Sequence, residues 1–119
     1  MIFAALMLAM ADPSPPGGFY RSNQMEIGAA LQLDDDGHFQ YQLDYGAVSE
    51  VAEGKWSSDG QSIYLTATRM QGSYKTRDFN REPLKIEGDR LLLSRYDTVI
   101  RLEREELPAP ADKKNLGGN

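Results

Sequence analysis

A chain of 119 residues with a formal net charge of −5 and no cysteine fits one small domain, because two cores of independent stability need more chain than this. The acid surplus argues against a general nucleic-acid binder, which needs an excess of Lys and Arg to neutralise phosphates. The missing cysteine removes disulfides, thiolate metal sites, thiol nucleophiles and a lipid-modified cysteine anchor.

The chain opens with an apolar run, Ile2 to Met10, that ends in Ala9-Met10-Ala11. The small-x-small pattern predicts a signal peptide over residues 1–11, cleaved after Ala11, although no Lys or Arg precedes Arg21 to supply a basic flank. The run is too short for an integral membrane span, which needs about 20 apolar residues. The expected location is therefore periplasmic or secreted, and an exported domain of this size without disulfides favours a bacterial periplasm. The Pro- and Gly-rich segment that follows predicts a flexible leader over 12–17, and the polar end of the chain a disordered tail over 106–119. That leaves 18–105 for the folded domain.

Inside it the apolar period is two. Ile27, Ala29, Leu31 and Leu33 alternate with polar or small residues, and so do Phe39, Tyr41, Leu43 and Tyr45, with Asp35, Asp36 and Gly37 between the two runs. Alternation predicts two half-buried strands, and Asp-Gly chemistry predicts the tight turn that joins them. Gly54, Lys55 and Trp56 lead to a second Asp-Gly turn at Ser57 to Gly60, then to a strand with Ile63, Leu65 and Ala67 on one face. Gly54 shares a strand face with Trp56, where a missing side chain allows a bend or a close neighbour. From Thr68 to Glu82 the alternation is poor, which predicts an irregular strand flanked by a mobile loop. Leu84 and Ile86, Leu91 and Leu93, and Ile100 and Leu102 then mark three more short strands separated by turns.

No segment has a helical period. The fold class expected is all-β: an antiparallel meander of about eight short strands forming a small lipocalin-like barrel. Its inward set comprises Leu31, Leu33, Phe39, Tyr41, Leu43, Trp56, Ile63, Leu65, Leu91, Leu93, Ile100 and Leu102, while His38, Asp44 and Glu50 fall on outward positions.

The order from Ala30 to Ala67 is apolar strand, Asp-Gly turn, aromatic strand, Tyr-Gly, Gly-x-Trp, second turn and apolar strand. It resembles the small lipocalin-like barrels of bacterial envelope proteins, a group that includes the N-terminal domain of the copper-resistance lipoprotein NlpE. Members of that group carry a Cys-x-x-Cys and a lipidated cysteine, which this chain lacks. The resemblance therefore implies fold and envelope location, but not copper binding, redox signalling or lipid anchoring.

Candidate chemistry is sparse. Around Asp34, Asp35, Asp36 and His38, an EF-hand alignment with Gly37 in sixth place puts Gln32 first and Leu43 twelfth, where a bidentate glutamate is required, so no metal site is assigned. No Gly-x-Ser-x-Gly elbow or phosphate-cradling glycine loop occurs, and no catalytic residue or cofactor is assigned. Tyr41, Tyr45, Trp56 and Tyr74 are the candidate ligand-binding residues, since buried tyrosine and indole groups want polar partners that an amphipathic ligand supplies. Residues 12–60 hold nine acids and two bases, whereas 61–119 hold nine acids and eleven bases. Arg69, Lys75, Arg77 and Arg81 in that second half form a candidate partner-facing basic segment.

The function expected is a non-enzymatic periplasmic domain with a mostly filled core, acting on another envelope protein as an interaction or structural module. The alternative is a binding protein for a small apolar or amphipathic ligand held near Tyr41, Tyr45 and Trp56.

Overall fold

A computed structural model describes residues 17–73 and 76–105. The expected signal peptide, nearly all of the leader, the tail, Tyr74 and Lys75 lie outside the described residues. Eight strands run in chain order: β1 (Gly18–Ser22), β2 (Ile27–Leu33), β3 (His38–Tyr45), β4 (Val48–Ser58), β5 (Ser62–Gly72), β6 (Asn80–Glu87), β7 (Arg90–Arg95) and β8 (Thr98–Glu105). Each pairs antiparallel with the next, and β8 returns to β1 through Phe19↔Glu105, Tyr20↔Arg104 and Arg21↔Glu103, closing the barrel. Closure leaves no free sheet edge along that seam, which is how small all-β domains avoid edge-to-edge association. The all-β expectation holds, and no helix occurs among the described residues. None is therefore long and apolar enough to cross a membrane.

The turns form where the sequence supplies turn chemistry. The Asp34 carbonyl accepts from Gly37 N–H at 3.0 Å, Asp36 Oδ1 accepts from His38 N–H at 3.0 Å, and Gly37 adopts a φ of 92° that a side chain would oppose. Asp59 Oδ1 accepts from the backbone N–H groups of Gln61 and Ser62 at 2.9 and 2.8 Å. The turns at 23–26, 46–47 and 96–97 and the β5–β6 connection lie at one end of the barrel, here the upper end. Those at 34–37, 59–61 and 88–89 lie at the lower end.

Two bulges explain why the alternation fails after Thr66. Glu53 pairs with Arg69 but Gly54 pairs with Ala67, so β5 carries one extra residue, Thr68. Ile63, Leu65 and Ala67 face inward before it and Met70 after it, because one inserted residue reverses the face of everything beyond. Similarly Leu65 pairs with Glu82 but Thr66 with Asn80, leaving Arg81 extra at a φ of 60°. Phe79 is buried on one side of that bulge and Leu84 on the other. Gly54 sits at the first bulge, where an added Cβ would lie 2.8 Å from the Ala67 Cα, so close approach of β5 explains the glycine.

The interior is filled by side chains. Phe39, Phe79, Leu31, Leu33, Leu43, Ile63, Leu65, Leu84, Leu91, Leu93, Ile100 and Leu102 are fully buried, each contributing about 1.5–3 kcal/mol relative to exposure. Eleven of the twelve expected inward residues are in this core, Tyr41 included. Trp56 is the exception: it is half-buried against the core at the lower end, and its Nε1–H donates to the Asp34 carbonyl at 2.9 Å. Near the lower end of β4 this large indole finds its polar partner in the neighbouring turn.

Candidate functional site

Strand β4 places an acid inside the barrel. Its even positions Glu50, Ala52 and Gly54 all face inward, and Glu50 is 1 % exposed, which corrects the outward assignment. From β7, Arg95 reaches the same point and is 3 % exposed. The pair is bidentate: Arg95 Nε donates to Glu50 Oε1 at 2.9 Å and Nη2 donates to Oε2 at 3.0 Å. Such planar fork-to-carboxylate geometry is the strongest form of ion pair, and in a dry interior it must be nearly complete to offset desolvation.

Neighbours complete most of it. The Tyr41 hydroxyl of β3 donates to Glu50 Oε1 at 3.0 Å, and the Tyr96 hydroxyl, from the β7–β8 turn, donates to Oε2. Arg95 Nη2 also donates to the Arg77 carbonyl. The Arg95 guanidinium carbon lies 4.7 Å from the centroid of the Phe79 ring and 5.5 Å from that of Tyr96, so the cation is held between two aromatic rings. Phe79 in turn meets Tyr41 edge-on at 4.7 Å. The β5–β6 connection thus folds an aromatic plug under the upper end.

The electrostatics follow from this packing. Burial alone would push the Glu50 carboxyl up, but the hydrogen bonds from Arg95 and Tyr96 outweigh it and hold Glu50 below its ordinary value of 4.5. Burial opposes the charge on Arg95, and Glu50 more than compensates, so the guanidinium is held even more firmly protonated. Burial and the adjacent Glu50 carboxylate push the Tyr41 and Tyr96 hydroxyls up, keeping both as neutral donors.

Arg77 closes the wall beside this cluster. Strands β6 and β7 pair only from Lys85↔Leu92 to Glu87↔Arg90; continuing the register would set Pro83 against Ser94, and proline has no N–H to give. In the gap so opened, the Arg77 guanidinium pairs with Glu82 of β6 at 3.1 Å while its carbonyl takes the hydrogen bond from Arg95 of β7. A solvent-open cleft of about 620 Å³ is lined by Arg77 and by Ser94 to Val99. The turn on its rim holds Tyr96 and Asp97 at φ values of 53° and 58°, a conformation in which two-residue hairpins favour Asn and Gly.

The expected site residues do not gather in one place. Tyr41 and Tyr45 belong to the upper half, where Tyr45 meets Tyr96 edge-on at 6.5 Å, and Trp56 lies at the lower end. A shared pocket for the three is therefore corrected: the barrel length separates them. The basic residues are individually engaged, Arg69 with Glu53 at 3.5 Å, Arg77 with Glu82, and Arg81 over the Tyr64 ring at 4.2 Å. His38 lies outward and contacts Asp36 at 3.1 Å, and among the described residues no three His, Cys, Asp or Glu side chains group so as to hold a metal ion. Sequence reasoning missed Arg95 and Tyr96. Their signal was present but faint, an arginine of the same parity as Leu91 and Leu93 at the end of an apolar strand.

Comparisons with protein-family models, with curated proteins and with solved structures find no match.

Proposed function

We propose that this barrel is a non-enzymatic envelope module that works through its surface, as a protein-interaction or structural domain, and not by enclosing a ligand in its interior. The observation that carries the reading is the occupied interior: leucines and isoleucines from six strands, Phe79 from the β5–β6 connection and the Glu50–Arg95 pair take up the space that a small-ligand barrel leaves open. Glu50 is engaged by Arg95 and by the Tyr41 and Tyr96 hydroxyls, an arrangement suited to holding strands together and poorly suited to activating a nucleophile or shuttling a proton. Export to the periplasm rests on Ile2 to Met10 and Ala9-Met10-Ala11 alone. Likeness to the lipocalin-like envelope group supports the same location.

The test is titration of the purified chain with an apolar fluorescent probe such as anilinonaphthalene sulfonate, followed by Trp56 emission and native mass spectrometry. The reading predicts no stoichiometric complex with the folded protein. A saturable one-to-one complex that quenches Trp56 would overturn it in favour of an interior ligand. Intact mass of the exported chain checks location: loss of residues 1–11 is expected, and retention of Met1 in the envelope fraction would contradict cleavage.

A further inference from the structure

Arginine has five N–H donors, and a buried guanidinium normally uses all of them. Arg95 uses Nε and Nη2 on Glu50 and on the Arg77 carbonyl, but Nη1 is buried with no partner, and among the described residues it is the one side-chain nitrogen or oxygen so left. A buried charged donor left unpaired is costly, so the orphan needs an account.

Its surroundings supply one. Arg95 borders the open cleft beside the β7–β8 turn together with Arg77, whose guanidinium has one modest partner in Glu82 and is 63 % exposed. The exposed Arg77 guanidinium on this cleft and the Arg95 guanidinium, buried against the Tyr96 ring, are fixed forks that match a carboxylate. The remaining walls are the Tyr96 ring, Val99 and the Ser94 and Thr98 hydroxyls, apolar and polar in the mixture that suits a short organic acid. Asp97 on the rim repels an ion of higher charge, which favours a singly charged carboxylate over phosphate. Tyr96 is the wall over Arg95: its backbone sits in a left-handed conformation unfavourable to a bulky residue, and its ring covers Arg95 while its hydroxyl is tied to Glu50.

We propose that this cleft binds a carboxylate, to which the unpartnered Nη1 of Arg95 and the guanidinium of Arg77 donate, with Tyr96 turning aside to admit it. The inference rests on the surface-acting reading above and gives it a chemistry. Two sources share that chemistry, a free organic acid and the C-terminal carboxylate of a partner chain.

The experiment is a nuclear magnetic resonance titration of the ¹⁵N-labelled full chain with N-acetylphenylalanine, N-acetylphenylalaninamide, acetyl-tetraalanine with a free or an amidated C-terminus, and inorganic phosphate, all at one ionic strength. The free acids are expected to shift the Arg95 Nε–H resonance and the Ser94 to Val99 amides saturably, and the amides at least tenfold more weakly. Arg77→Gln is expected to weaken the free acids at least fivefold. Tyr96→Phe, which removes the tie to Glu50 and leaves the ion pair in place, is expected to tighten them severalfold. A peptide acid binding tighter than the small acid assigns the site to chain termini, and the reverse assigns it to free acids. Equal binding of acid and amide, phosphate binding as tightly as the acids, or the absence of saturable shifts at Arg95 and Ser94 to Val99 would each overturn the proposal. An apolar probe held inside the barrel would sink the filled-core reading without producing this pattern, so the two failures are distinguishable.

Discussion

The lower half of the barrel interior is made of Leu33, Phe39, Ile63, Leu65, Leu91 and Leu102, all buried and with no charge to satisfy; the upper half is built around Glu50 and Arg95 with two tyrosine hydroxyls and a backbone carbonyl. Apolar packing fails gradually, by the volume removed. A buried polar network fails abruptly, because taking one partner away leaves the other charged and dry. The difference shows where this molecule carries specificity: the half that costs more to build is the half whose wall opens at Pro83 and whose rim forms the cleft.

The comparison can be broken most directly at the ion pair. Arg95→Met should cost about 3–5 kcal/mol, since Glu50 is left buried and unpaired, while the double change Arg95→Met with Glu50→Leu should recover most of that loss. Urea unfolding of wild type, Arg95→Met, Glu50→Leu and the double variant measures the coupling. Additive effects would mean that the pair is not a unit. In the lower half Leu65→Ala, from a fully buried position, should cost about 2–5 kcal/mol by the cavity it leaves, with the same penalty at pH 5 and pH 8.

Trp56 sharpens the boundary of that apolar half. Read from sequence as core, Trp56→Ala would cost about 3–5 kcal/mol; half-buried with one hydrogen bond to the Asp34 carbonyl, it should cost about 1–2 kcal/mol. Circular dichroism in urea decides between the two values. The smallest effect is expected at His38, whose pair with Asp36 is exposed on both sides. His38→Ala should change stability by less than about 0.5 kcal/mol and leave metal content unchanged.

Much of the fold was legible because period-two patterning and Asp-Gly turns are local signals. Residues 26–45 and 84–102 state their strands directly. The short β1 was not legible, since Gly18–Ser22 offers only Tyr20 and Ser22 as buried positions. Thr68 and Arg81 hid the second half of β5 and the start of β6, because each inserted residue reverses the inward face and a reader of alternation loses count. The site failed for a different reason. Trp56 and Gly54 already fixed the inward parity of β4, and counting back through Ala52 reaches Glu50; the assumption that an acid faces water overrode the count. Arg95 and Tyr96 could be understood only once β4 and β7, far apart in sequence, were seen to share the upper end.

The central claim, that Glu50 is a buried carboxylate held ionised by Arg95, makes the two halves differ in acid. A carboxyl whose folded value is lowered adds stability above its unfolded value, and that stability is lost as pH falls through the folded one. The most direct measurement is the ¹³Cδ shift of Glu50 followed from pH 7 downward. The account predicts that Glu50 stays ionised below its ordinary 4.5 and protonates only as the barrel unfolds. A Glu50 midpoint at or above that value in the folded protein would contradict it.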